Sequence, residues 1–434
     1  MKFFSTKSPD TKVDLRTAVL QSLPPDNGLY MPESIPALPS NVLENLEHLS
    51  FQDIAFAVAR QYLSDDFSDA ETLDLIDHAI NFPAPVKSLT EDLHVLELWH
   101  GPSLAFKDFG ARFMAAVMSR LVEGEDQKLT ILVATSGDTG GAVAAGFLGV
   151  PNVEVIILYP KGKVSPLQEK QLTTLGQNIT ALEIDGTFDD CQALVKTAFL
   201  DRDINEQYQL SSANSINITR LIPQSFYYFE AYKQLQTKGR GEVNFCIPSG
   251  NFGNLTAGLL AKRMGLPVNH FIAATNANDI VPVYLKSGEY TPRPSVQTIS
   301  NAMDVGNPSN FRRMENLYGN QWEEMKQDIY GYAYTDDQTK DAVKEIHEKY
   351  QYIMDPHGAV GYLAALEYQA THPGEQVVIL ETAHPAKFLP VMNPILGDIG
   401  VPNRLAEISD REKVATPLNI DFESFKNWLL SRKA

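Results

Sequence analysis

From about residue 129 onward the chain alternates short β-rich runs with helix-like segments, and no other feature limits its fold so tightly. Residues 129–134, 153–159, 179–184, 243–247, 271–275 and 377–380 read as strands. Several are apolar throughout, as strands covered on both faces are. Between them, residues 139–149, 165–175, 190–200, 218–235 and 253–264 carry helical patterns. The alternation predicts an α/β fold of largely parallel sheets flanked by helices. In such sheets ligands lie beyond the carboxyl ends of the strands, so the strand-to-helix loops are the places to search.

With 434 residues the chain exceeds the size at which one core keeps growing, and more than one domain is expected. The first 85 residues stand apart as an N-terminal subdomain. Prolines at 24, 25, 32, 36 and 39 precede an acidic, helical stretch over 42–80, and 83–86 is the hand-over. Residues 288–332, rich in Pro, Asn and Gly, read as an irregular excursion, and a helical tail follows. A net charge of −18 argues against nucleic acid or an anionic membrane as partner. It also requires that any anionic substrate be captured by local donors. The first ten residues hold charges and a proline where a secretion signal needs an apolar centre. The two cysteines, Cys191 and Cys246, sit in apolar-patterned segments and read as buried free thiols of a reducing cytoplasm. The nine histidines show no metal-type pairing, so no metal is expected.

Five segments carry candidate chemistry. In 100–113, Lys107 lies between Phe106 and Phe109, after a Gly-Pro turn and before a helical run. Apolar company lowers an ammonium's pKa and makes the neutral, nucleophilic amine accessible, as Schiff-base chemistry requires. A surface lysine whose stem covers the rings is the plainer alternative. In 134–141, Ser136, Gly137 and Thr139 offer hydroxyls and free N–H groups at a helix start, fit for a carboxylate or phosphate, or simply for capping. No Gly-Lys-Ser/Thr follows, so this is not a nucleotide-binding P-loop. In 248–254, Gly250, Asn251, Phe252, Gly253 and Asn254 could grip a terminal phosphate, or form an empty tight turn. In 211–220, Asn214, Ser215 and Arg220 gather polar donors near a helix start, where a guanidinium is favoured only beside an anion. Finally Thr382 and His384 end the last strong strand; Thr382 could turn its hydroxyl to a ligand, and His384 reads as structural.

Together these segments resemble the threonine synthases, pyridoxal-phosphate enzymes of the tryptophan-synthase-β fold type (fold type II). The likeness runs from Gly28-Leu-Tyr-Met-Pro32 to Ala383-His-Pro-Ala-Lys-Phe388, and is to the longer bacterial and fungal branch. The resemblance implies that residues 86–126 and 236–434 form a large cofactor-binding domain with a smaller α/β domain, 127–235, inserted. It implies that Lys107 links to the cofactor's aldehyde and then shuttles protons. Gly250, Asn251, Phe252, Gly253 and Asn254 would hold the cofactor's phosphate, and Thr382 its pyridine nitrogen. Ser136, Gly137 and Thr139 would receive the substrate's carboxylate, and Asn214, Ser215 and Arg220 its phosphate. The implied activity converts O-phospho-L-homoserine and water to L-threonine and phosphate in a cytoplasmic monomer. Asp138 departs from the asparagine common in relatives of this fold type: an ionised carboxylate cannot donate a hydrogen bond, so its part is open. A phospholyase releasing a keto acid, or a non-catalytic sensor, would share several of these motifs.

Overall fold

The computed structural model describes residues 1–236 and 242–432. Its strands, in chain order, are β1 (Phe3–Ser5), β2 (Ser8–Val13), β3 (Tyr30–Pro32), β4 (Val86–Ser88), β5 (Leu93–Glu97), β6 (Leu129–Ala134) and β7 (Val153–Pro160). There follow β8 (Ile179–Ile184), β9 (Gln209–Ser212), β10 (Val243–Pro248), β11 (Val268–Thr275), β12 (Ile329–Ala333), β13 (Val377–Glu381) and β14 (Thr416–Leu418). They form three sheets. The first is antiparallel, in the order β2-β1-β3. The second has the order β12-β11-β10-β13-β5-β4, parallel except for the edge strand β4. The third, β14-β8-β7-β6-β9, is parallel throughout. Strands β6, β10 and β13 are buried along their whole length, which is why they are apolar on both faces.

The α/β class predicted from the alternation is the one observed, and each predicted strand is present within a few residues. Four differences have local causes. The segment 218–235 is not one helix: Pro223 lacks the N–H of a continuing turn, and Ile218–Leu221, a 3-10 turn Ile222–Ser225 and Phe226–Gln236 follow one another. Strand β5 is wholly buried yet includes His94 and Glu97, which disguise it. The N-terminal 85 residues hold the expected helices, Phe51–Leu63 and Asp69–Ala79, each begun by a Ser-x-x-acid capping box, but also the small antiparallel sheet. The stretch 288–332 contains two short helices, Phe311–Leu317 and Trp322–Asp328, and much of β12.

Strand β14 and the helix Phe422–Ser431 add to the five-stranded sheet, where Phe425 and Leu429 share a core with Leu182, Ile184 and Leu194. The last residues of the expected 236–434 unit therefore lie on the sheet of the 127–235 unit. Residues 237–241, beside the boundary placed at 235/236, lie outside the described residues. The helix Lys107–Leu121 is anchored by Phe109, whose ring meets Phe51, Phe82 and Tyr227 at centroid distances of 5.9, 4.7 and 5.1 Å. The N-terminal helices thus hold one end of the Lys107 segment in place.

Candidate active site

Lys107 is the first residue of its helix, and the turn that delivers it is bonded to the end of β13. Phe106 N donates to Thr382 O (2.8 Å), His384 N to Leu104 O (3.0 Å) and Leu98 N to Glu381 O (3.0 Å). Lys107 and Thr382, about 275 residues apart in sequence, are therefore held by backbone bonds rather than by side-chain chance. The Phe106 ring lies 5.7 Å from Lys107 Nζ. Burial pulls the ammonium's pKa down to about 8; Asp138 opposes this, and the Arg220 and Lys387 charges reinforce it. A far larger share of this amine is therefore neutral near pH 8 than of an ordinary lysine.

At the carboxyl end of β6, Thr135 Oγ1 accepts from Gly137 N (3.0 Å) and Gly140 N (2.8 Å), closing the loop that carries Ser136, Gly137 and Thr139. Gly137 has φ 137°, and an added Cβ would stand 2.6 Å from the Gln168 side chain, so only glycine fits. Asp138 accepts from Lys387 Nζ at 2.6 Å and Gln168 Nε2 at 2.9 Å. Burial alone would raise its pKa, but Lys387 and Lys107 outweigh that and hold it well below the usual carboxylate range. Asp138 therefore stays a carboxylate and pairs with a buried lysine, Lys387.

The Asn214 side chain donates to Ala134 O (2.8 Å), joining the β9 loop to the β6 loop. Asn251 Nδ2 donates to Ser215 Oγ (2.6 Å), joining the β9 loop to the β10 loop. Arg220 is buried; one guanidinium nitrogen donates to Ala213 O, while Nε has no partner. Burial lowers its pKa to about 10, with Asp108 opposing, and the group stays cationic. Beyond β10, Phe252 takes the left-handed conformation at φ 59° before the helix Gly253–Arg263. An added Cβ at Gly250 would meet Met303 Cα at 2.7 Å. Asn254 Oδ1 accepts from Tyr227 (2.6 Å) and Tyr228 (2.8 Å), whose hydroxyls burial keeps neutral; this leaves Asn254 Nδ2 buried and unpartnered.

Hydrogen bonds thus join the β6 loop to the β9 loop, the β9 loop to the β10 loop, and the Lys107 turn to the end of β13. Three contributors carry no sequence signal of their own. Lys387 lies inside the quoted 383–388 motif but without a role. Asp108, next to Lys107, has its pKa raised to about 6 by burial. Arg313 lies in the stretch read as irregular. It is fully buried and donates to Tyr30 O (3.2 and 3.0 Å), Ser215 O (3.1 Å), Ile216 O (2.6 Å) and Asn310 Oδ1 (2.7 Å). His384 accepts from Ala386 N at 3.1 Å, and burial with the nearby His100 and Lys387 charges lowers its pKa to about 4, so it is a neutral structural group. Among the described residues no group of three His, Cys, Asp or Glu side chains is placed to hold a metal, and no helix is long and apolar enough to cross a membrane.

Residues 80–383 match the family of pyridoxal-phosphate-dependent enzymes, 2–80 the threonine synthase N terminus and 358–428 the threonine synthase C-terminal region. Threonine synthase of Haemophilus influenzae is 45% identical over 433 residues, covering 99% of this chain and 100% of the relative. That of Escherichia coli is 43% identical with both chains fully covered, and its crystal structure superposes with a TM-score of 0.93. The pyridoxal-phosphate-bound threonine synthase of Brucella melitensis, 34% identical, gives 0.91 over 99% of this chain and 98% of its own. The chain belongs to the threonine synthase family of pyridoxal-phosphate-dependent enzymes.

Proposed function

We propose that the chain converts O-phospho-L-homoserine and water to L-threonine and inorganic phosphate, with pyridoxal phosphate held at Lys107. One observation carries the proposal: a lysine whose pKa burial lowers to about 8 feels the charge of Arg220, and Arg220 Nε, like Asn254 Nδ2 beyond β10, is a buried donor with no protein partner. Such groups are costly unless a ligand accepts from them. The cofactor fits the residues present. The N–H groups opening the helix Gly253–Arg263 lack intrahelical acceptors and suit a phosphate, with Gly250, Asn251, Phe252 and Asn254 around it. Thr382 offers the pyridine nitrogen a neutral hydroxyl.

When bound, pyridoxal phosphate supplies a conjugated ring that delocalises the electron pairs left as protons depart. The chain's own residues do the rest. Lys107, partly neutral near pH 8, takes the proton from Cα and then serves as base and acid at Cβ and Cγ. Ser136, Gly137 and Thr139 hold the α-carboxylate and so turn the single Cα–H bond towards Lys107. Asn214, Ser215 and Arg220 hold the phosphate that leaves Cγ, and the guanidinium stabilises the charge it carries away. Water then adds at Cβ, and the retained phosphate assists that addition. Closely joined loops keep stray water from the unsaturated species until this step.

The reading extends to a monomer working in a reducing cytoplasm, which the two buried free cysteines support. It also extends to a division into an N-terminal subdomain, a cofactor domain and an inserted smaller domain, with the C-terminal strand and helix assigned to the smaller one. The test is product analysis from O-phospho-L-homoserine with the natural protein and Lys107→Ala. Threonine and phosphate in equal amounts, lost in the variant, are expected. Formation of 2-oxobutyrate without threonine, or full activity of the variant, refutes the proposal.

A further inference from the structure

Lys387 is the one lysine of the site that the proposed chemistry does not use, and it is completely buried. Its ammonium donates to Asp138 Oδ1 (2.6 Å) and to Ser103 O (2.9 Å), and its own N–H donates to His384 O in the 3-10 turn Pro385–Phe388. Each partner belongs to a different catalytic loop. Asp138 follows β6 and sits between Gly137 and Thr139; Ser103 lies four residues before Lys107; His384 lies two residues after Thr382. From the other side, the helix Pro166–Thr173 and its cap meet the same groups. Ser165 Oγ donates to Lys387 O (2.9 Å), Gln168 Nε2 to Asp138 Oδ1 (2.9 Å) and Gln171 Nε2 to Ser103 O (2.9 Å).

We propose that Lys387 is a positioning residue: through its buried ion pair with Asp138 it pins the Ser136–Thr139 loop of the five-stranded sheet onto the Lys107 loop of the six-stranded sheet. The inference rests on the assignment of Lys107 as the reacting amine. Burying two charges is worthwhile only if each is fully paired, and a half-broken pair leaves a stranded charge. The two loops are therefore fixed relative to each other by an interaction that has no cheap intermediate state.

The pair also has an electrostatic consequence at Lys107. The charged groups that face this amine are Asp138 from the β6 loop, Lys387 from the 3-10 turn and Arg220 from the Ile218–Leu221 helix, with Asp108 following on its own helix. Asp138 draws the amine's pKa up and Lys387 pushes it down. Intact, the two members of the pair act on Lys107 in opposite senses, Asp138 the more strongly, while burial dominates its basicity. Removing either member alone unbalances the site, in opposite directions.

The experiment uses the full-length chain carrying Lys387→Met, Asp138→Asn or both. Competitive acylation across a pH series, read by mass spectrometry on the Lys107 peptide, gives the midpoint of the amine before any cofactor is added. Lys387→Met should raise it by about one pH unit and Asp138→Asn lower it by about as much. The double variant should return towards the natural value and recover most of the melting temperature lost by Lys387→Met. If both single variants shift the midpoint the same way, or neither shifts it, or the double variant recovers nothing, the proposal is overturned. Should a single variant fail to fold, the double variant alone decides: a folded chain with a near-natural midpoint supports the pairing, and an unfolded one refutes it. Loss of the Lys107 assignment would appear separately, as absence of a borohydride-reduced pyridoxyl adduct on that peptide in the natural protein.

Discussion

Glu381, the last residue of β13, offers a sharp test of the electrostatics beneath the site. Its side chain has no solvent exposure; Oε1 accepts from Asp355 N (2.7 Å) and Oε2 is buried without a partner. Burial raises its pKa well above 4.5, the Asp355 and Glu97 carboxylates add to the rise, and the Asp355 N–H opposes it. The folded chain therefore keeps this carboxyl protonated at pH values where the unfolded chain has released the proton. A raised pKa gives stability that is fully present below 4.5 and declines as pH rises, until the folded carboxyl itself ionises. The slope is about 1.4 kcal/mol per pH unit for one proton. Glu381→Gln has no proton to lose, so for each pH unit above 4.5 over which the folded carboxyl stays protonated the variant should gain about 1.4 kcal/mol relative to the natural chain. Its amide brings an N–H that the site does not satisfy, costing about 1–2 kcal/mol at every pH. That cost moves the intercept and leaves the slope alone. Urea unfolding of both proteins at half-unit pH steps, with saturating pyridoxal phosphate, measures the difference. A difference independent of pH, or one that turns against the variant as pH rises, would show that Glu381 is ionised in the fold and refute the reasoning.

Three further outcomes are expected. The rate at which Lys107 captures pyridoxal phosphate should rise with pH through a midpoint near 8, rather than the 10.5 of an ordinary lysine, as followed by the growth of visible absorbance. Gly110→Ala would put a Cβ 2.8 Å from Arg220 Nε and 3.0 Å from Arg220 O; because a backbone atom must give way, KM for O-phospho-L-homoserine should rise about tenfold, with kcat changed less. Arg313→Lys keeps a positive charge but cannot reach four separate acceptors, so about 3 kcal/mol of stability should be lost, seen as a lowered melting temperature.

How much of this was legible in sequence depended on whether a residue's task was local. Strands β6 and β8 and the small-residue loops after β6 and β10 announce themselves, because burial on both faces and close backbone approach each impose a composition on a few adjacent positions. The Lys107 segment is legible in part for the same reason: Phe106, whose ring lies 5.7 Å from the amine, is its chain neighbour, whereas Phe109 turns instead to Phe51, Phe82 and Tyr227. Arg313 shows the opposite case. Its acceptors are Tyr30, Ser215, Ile216 and Asn310, and only Asn310 is near it in sequence. Lys387 is similar, since Asp138 lies about 250 positions away and nothing in either segment names the other. Strand β5 was hidden because His94 and Glu97 make a buried strand look polar. The N-terminal sheet was hidden because β1 and β3 are only three residues each.

Counting donors separates two buried arginines, Arg220, which the sequence singles out, and Arg313, which it does not. Arg313 spends its guanidinium on three backbone carbonyls and one amide oxygen, so it has nothing left for a ligand. It acts by holding the 214–216 turn against Tyr30 and by adding a positive charge beneath that turn. Arg220 bonds to one carbonyl and keeps Nε unpartnered in a buried position, and so it can receive an anion. With Lys107 and Lys387 these make four cationic side chains at the junction of the loops, against the carboxylates of Asp138 and Asp108. Because burial has already stripped water from the cations, an arriving phosphate or carboxylate regains charge–charge and hydrogen-bond energy without first displacing a full hydration shell. A chain with a net charge of −18 can thus draw anionic ligands to one place. The attraction is local and short-ranged, set by donors fixed in the loops before any ligand arrives.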